Sequence, residues 1–348
     1  LAGYPFNKYN KEAKMIKIAI NGLGRIGRAT FKIVLDTPEM ELMGVNDLVP
    51  SDNLAYLLKY DSVYGRYEKK VESREDSLVV EDKPYSVFRE KDPSRLPWGD
   101  LGVDVIFECT GVFRNKEGLE KHIQAGAKQV ILSAPIKGGD VSTVVHAVNT
   151  PSGDSPQMIS CASCTTNCIT PVVEVMGRRL GIKKAIMTTI HAYTASQTIV
   201  DGPRKKWRRG RAAAANFVPT STGAAKATTT VLPQYAGKFD GVAVRGPVPV
   251  GSLADMVFLT ARESSVDEVN NIFREEARSQ RYQGVLGVTE DPIVSSDVIR
   301  DPRASIVDLT VTQVVNGDLV RVMSWYDNEW GYSNQMVREA KRIMGESA

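Results

Sequence analysis

Three of the four cysteines fall within eight residues, in the stretch CASCTTNC at 161–168. MIS at 158–160 reads as the end of a strand. From Thr165 onward Ile169, Val172, Val173 and Met176 recur at helical spacing. Cys164 therefore sits at a strand-to-helix turn, with Thr165 and Thr166 as candidate caps. Backbone N–H groups and the dipole at a helix start favour a thiolate, so the expectation is a nucleophile with a lowered pKa. The rival chemistry is metal binding by Cys161, Cys164, Cys168 and Cys109. C-x2-C-x3-C is not a common zinc or iron–sulfur spacing and no second C-x-x-C pair is present, so no metal is expected. Cys161 and Cys168 read as small buried hydrophobes. His191 lies near the C-terminal end of a strand read over IKKAIMTTIHAYTASQ, 182–197. A strand–helix–strand return sets a His beside the Cys, where it can hold a thiolate or move protons. His122 falls on a helix that reads as exposed.

A second group of residues suits a dinucleotide. IKIAI at 16–20 reads as a buried strand, followed by NGLGRIGR at 21–28 and an apolar-periodic helix. G-x-G-x-x-G thus falls at Gly22, Gly24 and Gly27, between strand and helix, as the motif requires. Gly22 allows a tight turn, Gly24 leaves room for a pyrophosphate, and Gly27 allows close helix–strand packing. A strand at 41–46 ends at Asp47, 20 residues after Gly27. That spacing suits a carboxylate on the adenosine ribose and favours NAD over NADP, whose 2′-phosphate it would repel.

The elements around these residues read as two kinds of sheet. VDVIFECTG (103–111), KEGLEKHIQAG (116–126) and KQVILSAP (128–135) alternate strand, helix and strand, the signature of a parallel, doubly wound sheet. Thr110, Gly111 and Ser133 end strands, where such sheets bind ligands, although an ordinary turn residue is as good a reading of each. Residues 66–95 read as an antiparallel hairpin insert. In the second half, 252–262, 305–315 and 319–327 read as long alternating strands with a helix at 266–279, and a helix ends the chain. Thr222-Gly223 stands before a helix and Arg245 on a strand end, both suited to anions. The run DGPRKKWRRGRA at 201–212 holds six basic residues.

The chain has 348 residues, room for about two domains. Lys plus Arg is 44 and Asp plus Glu is 41, a net charge of +3. That balance argues against nucleic acid and membrane surfaces as partners. No apolar run approaches the ~18–20 residues of a membrane helix. Four cysteines in this length exclude a disulfide scaffold. Residues 1–14 lack an apolar core and read as an extension or remnant outside the fold, not a secretory signal.

INGLGRIGR, ND at 46–47, KYDSVYG, ASCTTNC, TTIHAYTASQ, DGP, RRGRAA, PTSTGAAKA and SWYDNEWGYS together resemble the phosphorylating glyceraldehyde-3-phosphate dehydrogenases, from about residue 15 to the C-terminus. The resemblance implies an α/β fold. It consists of a doubly wound parallel-sheet (Rossmann) NAD domain, 15–163, completed by a C-terminal helix, 328–348, and an α+β catalytic domain, 164–327, with a mixed, mainly antiparallel sheet. It implies Cys164 as nucleophile with His191 its partner, Arg25 and Ile26 on the pyrophosphate through their backbone, and Lys91 and Ser133 along the cofactor. Asn328 would hold the nicotinamide carboxamide. Ser163, Thr165, Thr222 and Gly223 match an inorganic-phosphate site, and Thr194 and Arg245 a substrate-phosphate site, with Arg209 close to both. The implied activity is NAD-dependent conversion of D-glyceraldehyde 3-phosphate and inorganic phosphate to 1,3-bisphosphoglycerate, with erythrose-4-phosphate dehydrogenase as the alternative. A cytoplasmic homotetramer is implied, with the basic loop around 193–215 against a neighbouring subunit's cofactor. RGPVPVGSLADM at 245–256 departs from the family's usual RVPTPNVSVVDL. There Gly246, Val250 and Gly251 change a region expected to pack between subunits.

Overall fold

The computed structural model describes residues 15–151 and 157–345. The extension at 1–14 and the last three residues of the terminal segment lie outside them. In chain order the first half gives β1 (Ile16–Asn21), α1 (Arg25–Leu35), β2 (Met40–Asn46) and α2 (Ser51–Lys59). A short ribbon of β3 (Tyr60–Asp61) and β4 (Gly65–Arg66) follows, then β5 (Val71–Arg74), β6 (Ser77–Val80) and β7 (Lys83–Phe88). β8 (Val105–Glu108), α3 (Lys116–Gln124), β9 (Gln129–Leu132), β10 (Ser142–Thr143) and β11 (Met158–Ser160) complete it.

Nine of these strands form one sheet, ordered β10-β11-β9-β8-β1-β2-β7-β6-β5. β1 lies between β2 and β8 and runs parallel to both. The chain winds outward in both directions from there, so the C-terminal ends of β1 and β8 flank a crevice suited to a ligand. Strands such as β1 and β8 are apolar on both faces because helices cover both. The segment read as an inserted hairpin does contain the β5–β6 hairpin. It is part of this sheet, because β6 pairs with β7 and β7 runs parallel to β2.

The second half gives α4 (Cys164–Arg179), β12 (Ile182–Ala192), β13 (Val218–Ser221), α5 (Ala224–Val231), β14 (Phe239–Gly246), β15 (Ser252–Thr260) and α6 (Val266–Ala277). It continues with β16 (Leu286–Thr289), β17 (Ser305–Asp308), β18 (Gln313–Val315), β19 (Leu319–Tyr326) and α7 (Trp330–Ile343). The strand order is β13-β14-β12-β15-β19-β17-β16, with β18 on β19. β12 is parallel to β14 and β16 to β17, while the other pairs are antiparallel. The expected fold class, one parallel-rich sheet and one mixed sheet, is borne out.

Three of the second-half expectations change. The strand read over 305–315 breaks after Asp308, whose side chain accepts from Thr310 N and turns the backbone before β18. β12 stops at Ala192, not 197. In the 245–256 segment Val250 is buried within its own chain. Gly251 has φ +85°, and a Cβ there would lie 2.1 Å from Ser295 O, so the chain itself requires glycine.

Three cores hold these layers. Ile18, Ile20, Phe31, Val45 and Phe107 form the first with Tyr332, Met336, Val337 and Ala340 of α7, which packs on α1. Val172, Val173 and Met176 of α4 pack on Met187, Met256, Phe258 and Phe273 in the second. The third is built on Ala19, Trp98, Ile106, Leu119 and Val130. Burying each such side chain stabilises the fold by roughly 1.5–3 kcal/mol before the entropy of ordering it.

Candidate active site

Cys164 is the first residue of α4, and Ser163 caps the helix, its hydroxyl accepting from Thr166 N at 3.2 Å. Thr165 and Thr166, expected as caps, are buried instead. Thr165 Oγ1 meets Tyr326 Oη at 2.9 Å and Thr166 Oγ1 meets Ser163 Oγ at 2.8 Å. α4 crosses to β12, and the return places Cys164 Sγ 3.4 Å from His191 Nε2. Tyr326 stands edge-on to His191, its ring centroid 5.9 Å away, and its hydroxyl ties Thr165 to Thr189.

Arg245 reaches the same point from β14, because His191 and Arg245 are partners in the β12–β14 register. Arg245 Nη1 is 2.7 Å from His191 Nδ1 and donates to Ala192 O at 2.9 Å. His191 Nδ1 is also 2.7 Å from Ala192 O. Nδ1 therefore has two uses. It accepts from the guanidinium, or it carries a proton and donates to the carbonyl. Only the second leaves Nε2 free to take a proton from sulfur.

Burial, and after it the Arg245 charge, pushes His191 down to about 3. Burial pushes the Cys164 thiol up, against the opposing pull of Arg245 and Thr165. The expected lowering by the helix start is therefore overturned in this arrangement, because removing the sulfur from water outweighs it. The other cysteines go further. Burial pushes Cys109 and Cys168 up to about 12 and Cys161 well above the usual thiol range. Among the described residues no cluster of His, Cys, Asp and Glu could hold a metal ion.

Two clefts meet at Cys109. One, of about 680 Å³, is lined by Arg25, Ile26, Ser133, Ser163, Cys164, His191, Thr194, Arg245 and Asn328. The other, of about 400 Å³, is lined by Gly22, Gly24, Asp47, Lys91 and Thr110. Both volumes suit a small-molecule site. The glycine turn fits a dinucleotide. Gly22 has φ +93°, and a Cβ on it would lie 2.8 Å from Thr110 N. A Cβ on Gly24 would meet nothing within 4 Å, which leaves the α1 start open to a pyrophosphate. Gly27 is closed instead, 1.9 Å from Gly22 O by the same measure. Asp47 Oδ2 accepts from Leu23 N at 2.7 Å, which holds the carboxylate against that turn.

Gly27, Gly111, Thr165, Arg209, Thr222 and Gly223 line neither cleft. Arg209 stands beside the larger one, with Nη1 3.3 Å from Ser196 Oγ, which in turn meets Thr194 Oγ1 at 2.8 Å. Its Nη2 donates to Ser221 O at 3.4 Å, next to Thr222, whose Oγ1 accepts from Ala224 N at the start of α5. Asn328 Oδ1 accepts from Ser252 Oγ at 2.9 Å.

The sequence reading missed Glu329 and Asp61. Arg25 Nη1 is 2.5 Å from Asp61 and Nη2 2.5 Å from Glu329, so the glycine loop is latched to the residue after Asn328. Glu329 lies inside SWYDNEWGYS, the only signal that pointed to it. His122, read as exposed, has no solvent exposure at all.

No helix of the described residues is long and apolar enough to cross a membrane. The family model described as the NAD binding domain of glyceraldehyde 3-phosphate dehydrogenase matches residues 16–116. The model of that enzyme's C-terminal domain matches 163–328. The chain is 49% identical to glyceraldehyde-3-phosphate dehydrogenase of Thermotoga maritima over 325 residues, 93% of this chain and 97% of that one. It is 48% identical to glyceraldehyde-3-phosphate dehydrogenase 2 of Streptomyces avermitilis over 325 residues, 92% and 96% of the two. Against glyceraldehyde-3-phosphate dehydrogenase 1 of Bacillus subtilis the identity is 46% over 330 residues, 94% and 98%. With a cysteine–histidine pair at a shared cleft and identity near one half along almost the whole length, the chain belongs to the glyceraldehyde-3-phosphate dehydrogenase family.

Proposed function

We propose that the chain catalyses NAD-dependent oxidation of D-glyceraldehyde 3-phosphate, coupled to capture of inorganic phosphate as 1,3-bisphosphoglycerate. The observation that carries this reading is Cys164 Sγ at 3.4 Å from His191 Nε2, in a cleft that also holds Arg245 and Asn328. Arg245 Nε is buried without a partner, a donor that a substrate phosphate would satisfy. As that phosphate draws the guanidinium, His191 Nδ1–H keeps Ala192 O and Nε2 takes the thiol proton. Sulfur attacks the aldehyde carbon, and the backbone N–H of Cys164 faces the oxygen that gains charge. His191 returns the proton to that oxygen, which completes a thiohemiacetal, and removes it again during oxidation. Bound NAD supplies the hydride acceptor for that oxidation. Gly22, Gly24, Arg25 and Ile26 would hold its pyrophosphate, with Gly27 closing the turn. Asp47 would hold its ribose, Lys91, Thr110, Gly111 and Ser133 would flank it, and Asn328 would hold its carboxamide. Inorganic phosphate, held by Ser163, Thr165, Thr222 and Gly223 with Arg209, displaces sulfur from the thioester. The acyl phosphate leaves and Cys164 is restored.

The domain reading of 15–163 with the terminal helix, and 164–327, is supported by the separate cores of the two halves and by α7 closing the one that contains α1. A cytoplasmic homotetramer belongs to the same proposal. The relatives named above carry the triose-phosphate name, which gives the erythrose 4-phosphate alternative no support. The test is NADH formation from each aldehyde, with and without inorganic phosphate. Phosphate-dependent turnover with a higher kcat/KM for the triose is expected. Equal turnover without phosphate, or preference for the tetrose, would sink the proposal.

A further inference from the structure

Beneath the smaller cleft lies a polar network that the chemistry above does not use. Glu108 ends β8, and His122, on α3, stands between it and Trp98. None of the three is exposed, and Asn21, at the end of β1, is 1% exposed. Trp98 Nε1 donates to His122 Nδ1 at 3.1 Å. An indole N–H only donates, so Nδ1 accepts, and the proton facing Glu108 sits on Nε2, 3.1 Å from Oε2. The remaining partners of Glu108 are donors as well. They are Asn21 Nδ2 at 2.6 Å, Thr110 N at 2.8 Å and the Thr110 hydroxyl. Four donors converging on one buried carboxyl group fix its orientation, and through it theirs.

The outer ends of this network are the wall of the cleft. Thr110, Asn21, Asn46 and Glu90 all line it. Asn21 Oδ1 accepts from Asn46 Nδ2 at 2.7 Å, and Asn46 in turn brackets the Glu90 backbone, accepting from its N and donating to its O. Gly22 N donates to Asn46 O at 2.7 Å, and the glycine turn presses on Thr110 N. The strand end that Glu108 holds is therefore the one the glycine turn leans on.

We propose that Glu108, oriented by His122 and Trp98, is a positioning residue for NAD. It holds Thr110 and Asn21 in the places from which the cleft receives the cofactor. This rests on reading the cleft as the adenosine half of the NAD site. In Glu108→Gln an amide NH2 must face either the Thr110 donors or Asn21 Nδ2 and His122 Nε2–H. His122 cannot change tautomer while Trp98 donates to Nδ1.

The test is NAD affinity by calorimetry, kcat and KM for NAD, and the melting temperature of the full chain. Glu108→Gln and His122→Leu should weaken NAD binding and raise its KM by about tenfold, the size of one unmade buried hydrogen bond, with kcat moving far less. His122→Gln, which keeps an amide donor for Glu108, should regain most of that affinity. Melting temperatures that fall while NAD affinity stays at the wild-type value would overturn the proposal, as would equal losses in His122→Gln and His122→Leu. Asp47→Ala separates the premise. If it too leaves NAD affinity unchanged, the reading of the cleft fails, rather than the role of Glu108. Should the buried variants not fold, Thr110→Val removes one of the four donors at a partly exposed position. About threefold weaker NAD binding is then expected, and no change overturns the role.

Discussion

Cys164 is a partly exposed thiol beside a proton acceptor, and its reactivity is set by what surrounds it. Among the four cysteines, burial raises Cys109, Cys161 and Cys168 far out of the neutral range, and none of these has the imidazole partner that Cys164 has. Iodoacetamide at neutral pH should therefore modify Cys164 first, with loss of activity in step. Peptide mapping that finds another cysteine labelled earlier, with activity kept, would remove Cys164 from its role. His191 gives a pH prediction. Its pKa is about 3 in the fold against ~6.5 when unfolded, so the unfolded chain binds the extra proton between those values. The stability from keeping His191 neutral is complete above about pH 6.5 and is lost as pH falls toward 3. Relative to His191→Asn, the wild type should lose up to ~1.4 kcal/mol per pH unit across that window in urea melts. Parallel curves would show that the imidazole is solvated. Arg245→Leu should move the same group upward, seen as a shift in the pH profile of Cys164 alkylation.

Strand ends and helix starts do the positioning, and Gly251 shows how strictly. It enters β15 at φ +85° with its Cα hydrogens against Ser295 O, whereas a Cβ on Gly246 would meet only Phe217 at 3.7 Å. Gly251→Ala should cost about 2–4 kcal/mol and Gly246→Ala about 0.5 kcal/mol or less in denaturant melts. Equal costs would show that the β14–β15 connection relaxes freely. The same elements explain what was legible beforehand. The glycine turn, Asp47 and the Cys164 helix start announce themselves through neighbours in sequence, and the two sheet types follow from their patterning. His122 did not, because the short α3 is mostly polar and the partners that bury it, Glu108 and Trp98, lie 14 and 24 residues away. The break at Asp308 hides inside an apolar alternation, since one side-chain hydrogen bond to Thr310 N decides it. The resemblance makes Ser163 a phosphate ligand, whereas its place as the cap of α4 depends on backbone angles and not on composition.

The second sheet has helices on one face only. On the other, Ile186 and Val242 are 66% and 53% exposed, and Ile190 lies four residues beyond Ile186 along β12. Ile199, Val200, Trp207 and Phe217 are exposed on the neighbouring loop. A bare apolar face of this kind calls for a protein partner, and a second copy offers the same surface by symmetry. Light scattering at micromolar concentration should give the mass of a tetramer, and Ile186→Lys with Val242→Lys should lower it. A stable, active monomer would refute the assembly and the loop's part in cofactor binding with it. The packing of α7 on α1 carries a different consequence, for how the polypeptide is born. The first core takes Tyr332, Met336, Val337 and Ala340 from the end of the chain, after every residue of the second sheet has been made. At ~5–20 residues per second, the ribosome needs roughly 10–40 s to pass from β11 to α7. Throughout that interval the nascent nucleotide domain lacks one wall and shows its apolar side to whatever is near. Its completion therefore waits on the synthesis of the second sheet and α7, and chaperone demand falls on the half that is synthesised first.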